Sequence, residues 1–149
     1  MEYNVKIKSE VRKDLLEKVM PFYAEQLNIG NFNYDIIVVN NKYFRKCFKY
    51  NGQVFHSGPR EITIELDSYL KTGPLLVTLA HEMVHVKQMV RGQIQWRKAR
   101  NGRVLPSWCG KTVKAKYEDR PWEIEAVVRQ EILFTELCEK VSAQKARKN

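Results

Sequence analysis

The sequence predicts an α+β fold in one domain. Three observations carry that reading: helix-spaced apolar stripes in three long stretches, a β-branched run followed by a strictly alternating one, and an Asn-Gly turn signal between two alternating segments. At 149 residues the chain can bury a single core without staples. Residues 1–149 are read as one unit, with a basic insert at about 87–117 and a flexible tail at about 143–149.

Ser9 can cap a helix from about Glu10 to Leu27, whose buried stripe is Val11, Leu15, Leu16, Val19, Phe22, Tyr23 and Leu27. Pro21 lies inside that pattern and predicts a kink or two abutting helices, and Gly30-Asn31 ends it. Tyr34 to Val39 is a continuous, β-branched apolar run, expected as a strand buried on both faces. Phe44–Tyr50 and Gln53–His56 flank Asn51-Gly52, the pattern of a two-residue hairpin turn. After the Gly58-Pro59 break, Glu61 to Leu66 alternates with Ile62, Ile64 and Leu66 on one face, as a half-exposed strand does. The sheet is therefore expected to be small and mostly antiparallel, with three to four strands. Thr72-Gly73-Pro74 starts the next helix and Gly92 stops it; Leu75, Leu76, Leu79, Met83, Val86 and Val90 make it apolar on several sides and so largely buried. Val104-Leu105 and Thr112-Val113 are candidate short strands. Pro121 opens the last helix, to about Val141, with Ile124, Val127, Val128, Ile132, Phe134 and Cys138 expected to face inward.

Aromatics are plentiful and apolar content is ordinary, which argues against a disordered chain. The first residues are charged, without a leader-like apolar run, and no stretch approaches membrane-spanning length. The expected compartment is the cytoplasm, that of the host if the gene is phage-borne. Cys47, Cys109 and Cys138 are odd in number and widely spaced, and read as reduced, partly buried thiols. The net charge of +9 is concentrated. No acidic residue lies between Glu82 and Glu118, whereas Lys87, Arg91, Arg97, Lys98, Arg100, Arg103, Lys111, Lys114 and Lys116 do. Those nine account for the whole excess, because the other basic residues balance the 17 acidic ones. Such a block suits DNA or RNA, with Trp96, Trp108 and Tyr117 available to stack on unpaired bases; the plainer alternative is a solvated basic loop. Arg91, Arg97, Lys98, Arg100, Arg103, Lys111, Lys114 and Lys116 are the candidate nucleic-acid contacts.

The chemistry centres on His81-Glu82-Met83-Val84-His85 in the second long helix. Residues four apart share a helix face, so both imidazoles can reach one ion, while Glu82 stands roughly 100° away, beside the ion, as a general base must. The chain has three histidines, and two of them are here. A catalytic zinc site needs a third ligand and an open position. His56 precedes the motif, so the third ligand is expected to be a carboxylate from another element: Glu118, Asp119, Glu123 or Glu125. Apolar positions projected at 100° per residue put Glu123 roughly 70° and Glu125 roughly 130° from the buried direction. That favours Glu123 as ligand and leaves Glu125 to solvent or to a supporting contact.

This motif followed by Pro121-Trp122-Glu123-Ile124-Glu125-Ala126 resembles the gluzincin clan of zinc metallopeptidases, in which a glutamate on a second helix is the third ligand. The element order is similar to that of its minimal members, including the ImmA/IrrE-like peptidases, and the chain also resembles small phage-encoded SprT-like metallopeptidases. The resemblance covers roughly residues 60 to 135. It implies a zincin-like fold, zinc held by His81, His85 and Glu123, Glu82 as the base, a protein or peptide substrate, and Glu61–Leu66 as the edge strand that pairs with it. Val127 stands where the clan often has an Asp or Asn that orients a histidine, and the third histidine usual in SprT-like proteins is absent. Hydrolysis also needs an oxyanion donor, for which His56, Tyr117 and Arg120 are candidates by residue type. The alternative is a basic module that binds nucleic acid or a host factor and keeps a zinc site without catalysis.

Overall fold

A computed structural model describes residues 4–7, 12–41 and 51–148. The described residues are α+β, with two sheets and three helices among them. In chain order these are β1 (Asn4–Ile7), α1 (Lys13–Gln26), β2 (Asp35–Asn41), β3 (Gly52–Gly58), β4 (Glu61–Asp67), α2 (Thr72–Val90), β5 (Ile94–Lys98), β6 (Val104–Trp108), β7 (Lys111–Thr112), a 3₁₀ turn (Tyr117–Asp119) and α3 (Pro121–Lys148). Among the described residues no helix is long and apolar enough to cross a membrane.

The larger sheet has the order β1-β2-β4-β3. β1 pairs with β2 and β2 with β4 in parallel; only β3 runs antiparallel, against β4. The expectation of a mostly antiparallel sheet is thus corrected. α1 is the crossover that parallel β1 and β2 require, and β1 was missed because its four residues are too short to show a pattern. β4 is also not the edge strand. It lies between β2 and β3, with Ile62, Ile64 and Leu66 in the core and Thr63 and Asp67 buried as well. A period-two pattern reports which side chains share a face, not whether the strand has one neighbour or two. β3 is the edge. The hairpin arm proposed for Phe44–Tyr50 and the Ser9 cap lie outside the described residues.

α1 runs unbroken through Pro21, whose ring is exposed, and buries Leu16, Val19, Met20 and Tyr23. The Tyr23 hydroxyl donates to the Leu76 carbonyl at 2.9 Å, tying α1 to α2. α2 lies against β3 and β4 and sends Leu75, Leu79, Met83 and Val84 into the core they share with Ile36, Val38, Ile62 and Ile64. Gly92, at φ +68°, ends it as expected.

α3 corrects the sequence reading in two ways. Its core face is Trp122, Ala126, Leu133 and Leu137, whereas Ile124, Val127, Val128 and Ile132 are each more than half exposed, Phe134 is only partly buried and Cys138 is exposed. Both faces of the helix are apolar enough to pass for the buried one, and the face that carries Glu123 and the small Ala126 packs on α2. The helix also continues to Lys148 where a frayed tail was expected, although every side chain from Cys138 to Lys148 is exposed. Cys109 and Cys138 are free but exposed, not partly buried, and Cys47 lies outside the described residues.

Candidate metal centre

α2 and the first turns of α3 face each other across the site. One helical turn separates His81 from His85, and their rings meet edge to face with centroids 4.8 Å apart. Glu123 enters from α3, whose first turn is anchored by the Arg120 carbonyl accepting the Glu123 N–H. His81 Nε2 and His85 Nε2 are 3.2 Å apart, and each is 3.2 Å from an oxygen of Glu123. A tetrahedron with bonds of about 2.1 Å separates its corners by roughly 3.4 Å, so the triangle of these three side chains, in which each histidine faces a different oxygen of Glu123, has the size of a metal's ligand set. These three residues can hold a metal ion.

The proton positions support the same reading. His81 Nδ1 lies 2.7 Å from Gln130 Oε1 and His85 Nδ1 lies 2.8 Å from Gln88 Oε1. The orientation of Gln88 is set by its other end, because its Nε2 donates to the Trp122 carbonyl and to Glu125. A neutral imidazole has one N–H, and an amide oxygen can only accept it, so the fixed Gln88 assigns the His85 proton to Nδ1, and Gln130 Oε1 assigns that of His81 likewise. Both Nε2 lone pairs then converge on a carboxylate. Three acceptors this close need a cation among them, either a proton or a metal.

The charges behave accordingly. Burial works to lower the pKa of His85, but its bond to Glu123 and the charges of Glu82 and Glu123 prevail and raise it. Burial alone would raise Glu123; its bonds to His81 and His85, the His85 charge and the Tyr117 hydroxyl hold it far below the usual carboxylate range. Glu82, 6% exposed, is pushed up chiefly by burial, a shift the two histidines oppose. A carboxyl held above its ordinary value is a better proton acceptor near neutrality.

These groups line one cleft of about 490 Å³. Asn51, Gly52, Gln53 and Val54 at the start of β3 form one wall, Val77 and Thr78 of α2 the floor beside His81, Glu82 and His85, and Tyr117, Glu123 and Gln130 the other wall. Gly52 is required there: a Cβ would lie 2.9 Å from Thr78 Cγ2 and 3.1 Å from the Glu65 carbonyl. Of the three oxyanion candidates only Tyr117 lines the cleft. His56 is exposed on β3 near Tyr34, and Arg120 stacks over the Tyr117 and Trp122 rings.

Glu118 and Asp119 are exposed in the 3₁₀ turn, and Glu125 is turned away from the triangle. It accepts from Lys87 Nζ at 2.8 and 2.9 Å, and that lysine is only 6% exposed. Lys87 therefore leaves the basic block and becomes part of the scaffold. Its partner Glu125 is held below the usual range, because the hydrogen bonds of Lys87 and Gln88 outweigh burial. Arg91 is likewise engaged, donating to the Asn28 carbonyl and lying over Phe32. Gln88 and Gln130 were missed by the sequence reading. Their signal was spacing: Gln88 is three residues after His85, and Gln130 is seven after Glu123 on the same helix face.

No family model matches this chain, and comparisons with curated proteins and with solved structures found no match.

Proposed function

We propose that this protein is a zinc-dependent metallopeptidase of the gluzincin type, with a zincin-like arrangement of sheet, α2 and α3. The observation that supports it most is the convergence of His81 Nε2, His85 Nε2 and the two oxygens of Glu123, each histidine 3.2 Å from one of those oxygens and from the other histidine, in a cleft that is also lined by the buried carboxyl of Glu82. Zinc on His81, His85 and Glu123 would act as a Lewis acid and bring a water's pKa toward neutrality. Glu82 would be the base that takes a proton from the attacking water and returns it to the leaving amine. Gln88 and Gln130 keep both rings in the tautomer that presents Nε2. The β3 edge, with Gln53 and Val54 at the cleft, offers main-chain groups to an extended peptide, the role first expected for Glu61–Leu66. The Tyr117 hydroxyl is the donor best placed to reach the oxyanion.

The test joins metal content to turnover. The parent should purify with about one zinc per chain or take it up on addition, and His81→Ala and Glu123→Ala should lose it. Glu82→Gln should keep the zinc and lose cleavage of a quenched fluorescent peptide library. A parent that binds no zinc, or a Glu82→Gln variant that still cleaves, would overturn the proposal.

A further inference from the structure

Strands β5, β6 and β7 form a separate antiparallel ribbon between the two ligand-bearing helices. Only its root is packed, through Ser107, which is buried, and Trp108, whose ring is 6.4 Å from that of Trp122. Beyond the root, Arg97, Lys98, Arg100, Arg103, Lys111, Lys114 and Lys116 are all exposed. None of the seven is within ion-pair distance of a carboxylate among the described residues. A solvated helix face normally interleaves both signs, but the sequence from Met83 to Tyr117 has no acid at all.

The register places an aromatic among these cations. Trp96 pairs with Pro106, and Lys98 with Val104, so all four share one face of the ribbon. Trp96 is 60% and Val104 59% exposed. A tryptophan left open to water on the face that carries Lys98, with Arg97 on the opposite face and Arg100 and Arg103 at the tip of the hairpin, serves no packing purpose. An open ring beside cations with no counter-charge is the combination that holds single-stranded nucleic acid: phosphates on the cations and a base on the ring. Past β7, Lys114 and Lys116 continue the positive track to Tyr117 on the cleft wall.

We infer that this ribbon binds single-stranded nucleic acid, with Trp96 as the stacking platform and Arg97, Lys98, Arg100, Arg103, Lys111, Lys114 and Lys116 as the phosphate contacts. The inference stands independently of the metal reading, because none of these residues touches the triangle. If both hold, the strand is delivered beside the cleft, and the substrate class is protein associated with nucleic acid.

The full-length protein would be titrated into a labelled twenty-nucleotide oligothymidine and a duplex of equal length, with fluorescence anisotropy as the readout. Binding should prefer the single strand and weaken with salt, with a log–log slope of up to roughly −5 if all seven cations engage. Trp96→Ala should weaken it roughly tenfold or more, leaving the slope unchanged. Arg100→Glu with Arg103→Glu should weaken it and flatten the slope by roughly one to two. Unchanged zinc uptake and melting temperature would show that the variants are folded. Absence of binding at low salt would overturn the inference. So would preference for the duplex, indifference to Trp96→Ala, or equal binding to polyglutamate, which would mark an acidic protein as the partner.

Discussion

Gln88 is the most informative residue to change after the ligands themselves. It is fully buried, accepts the His85 Nδ1 proton at 2.8 Å, and donates to the Trp122 carbonyl at 2.9 Å and to Glu125 at 3.0 Å. Gln88→Leu keeps the volume and removes all three bonds. The Trp122 carbonyl retains its helical partner and Glu125 retains Lys87, so the group left stranded is the Nδ1–H of His85. Losing such an orienting partner typically weakens metal binding 10- to 100-fold, or about 1.4 to 2.7 kcal/mol. Leaving a buried donor unpaired destabilises the metal-free fold by about 1 to 3 kcal/mol, at about 2 to 4 °C in melting temperature per kcal/mol for a chain of this size. Zinc affinity would be measured by competition with a chromophoric chelator, and stability by calorimetry with and without zinc. Gln88→Glu, which can still accept the His85 proton, should recover most of the affinity. An affinity within twofold of the parent for Gln88→Leu would refute the idea that the ring is held from behind.

Three further outcomes follow from the same coordinates. His85 and Glu82 both have raised pKa values, so their stabilising protonation is complete below about 6.5 and 4.5 respectively and is lost as pH rises through the folded values, while the depressed Glu123 contributes above about 4.5 and loses that contribution only in stronger acid. Metal-free melting temperature should therefore be highest in mild acid and fall toward pH 8, while the increment from zinc grows over the same range because zinc takes deprotonated ligands; a metal-free curve that climbs from pH 6 to 8 would contradict this. Gly52→Ala drives a methyl into Thr78 and the Glu65 carbonyl and should destabilise by about 1 to 3 kcal/mol in denaturant melts, with peptide turnover falling as β3 shifts; a neutral result would mean that this wall yields freely. Tyr23→Phe removes the buried bond to Leu76 and should lower stability by about 1 kcal/mol with zinc affinity unchanged, which chemical denaturation and the chelator assay would check together.

The residues of the candidate metal site were legible because their signal is local or terminal: two histidines one turn apart, and a glutamate opening a helix after a long acid-free stretch. Glu123 could be picked over Glu125 by angle, even though the apolar residues used to set that angle, Ile124, Val127, Val128 and Ile132, lie on the exposed side. The core-facing Ala126 and Leu133 carry less apolar weight than those four, so the face was misread while its glutamate was not. Strand order was the harder quantity. Parallel pairing of β2 with β4, and the placing of β3 outside them, depend on contacts between distant segments that no local pattern reports. Basic residues also look alike in sequence, yet Lys87 is a buried partner of Glu125, Arg91 binds a backbone carbonyl, and Arg97 to Lys116 face water. β5 was unread because a ribbon strand with both faces exposed has no apolar face to alternate.

The whole ribbon lies within the loop that joins the two ligand-bearing helices, residues 91–120. Closing a loop becomes harder only with the logarithm of its length, so halving this one would change the entropy of bringing Glu123 to His81 by only about 0.6 kcal/mol. The triangle is therefore nearly blind to what the loop contains. Ribbons of other lengths and sequences could be exchanged at that point, provided something still covers Trp122 where Trp108 now does. In this chain the part that would recognise can diverge while the part that would react stays fixed.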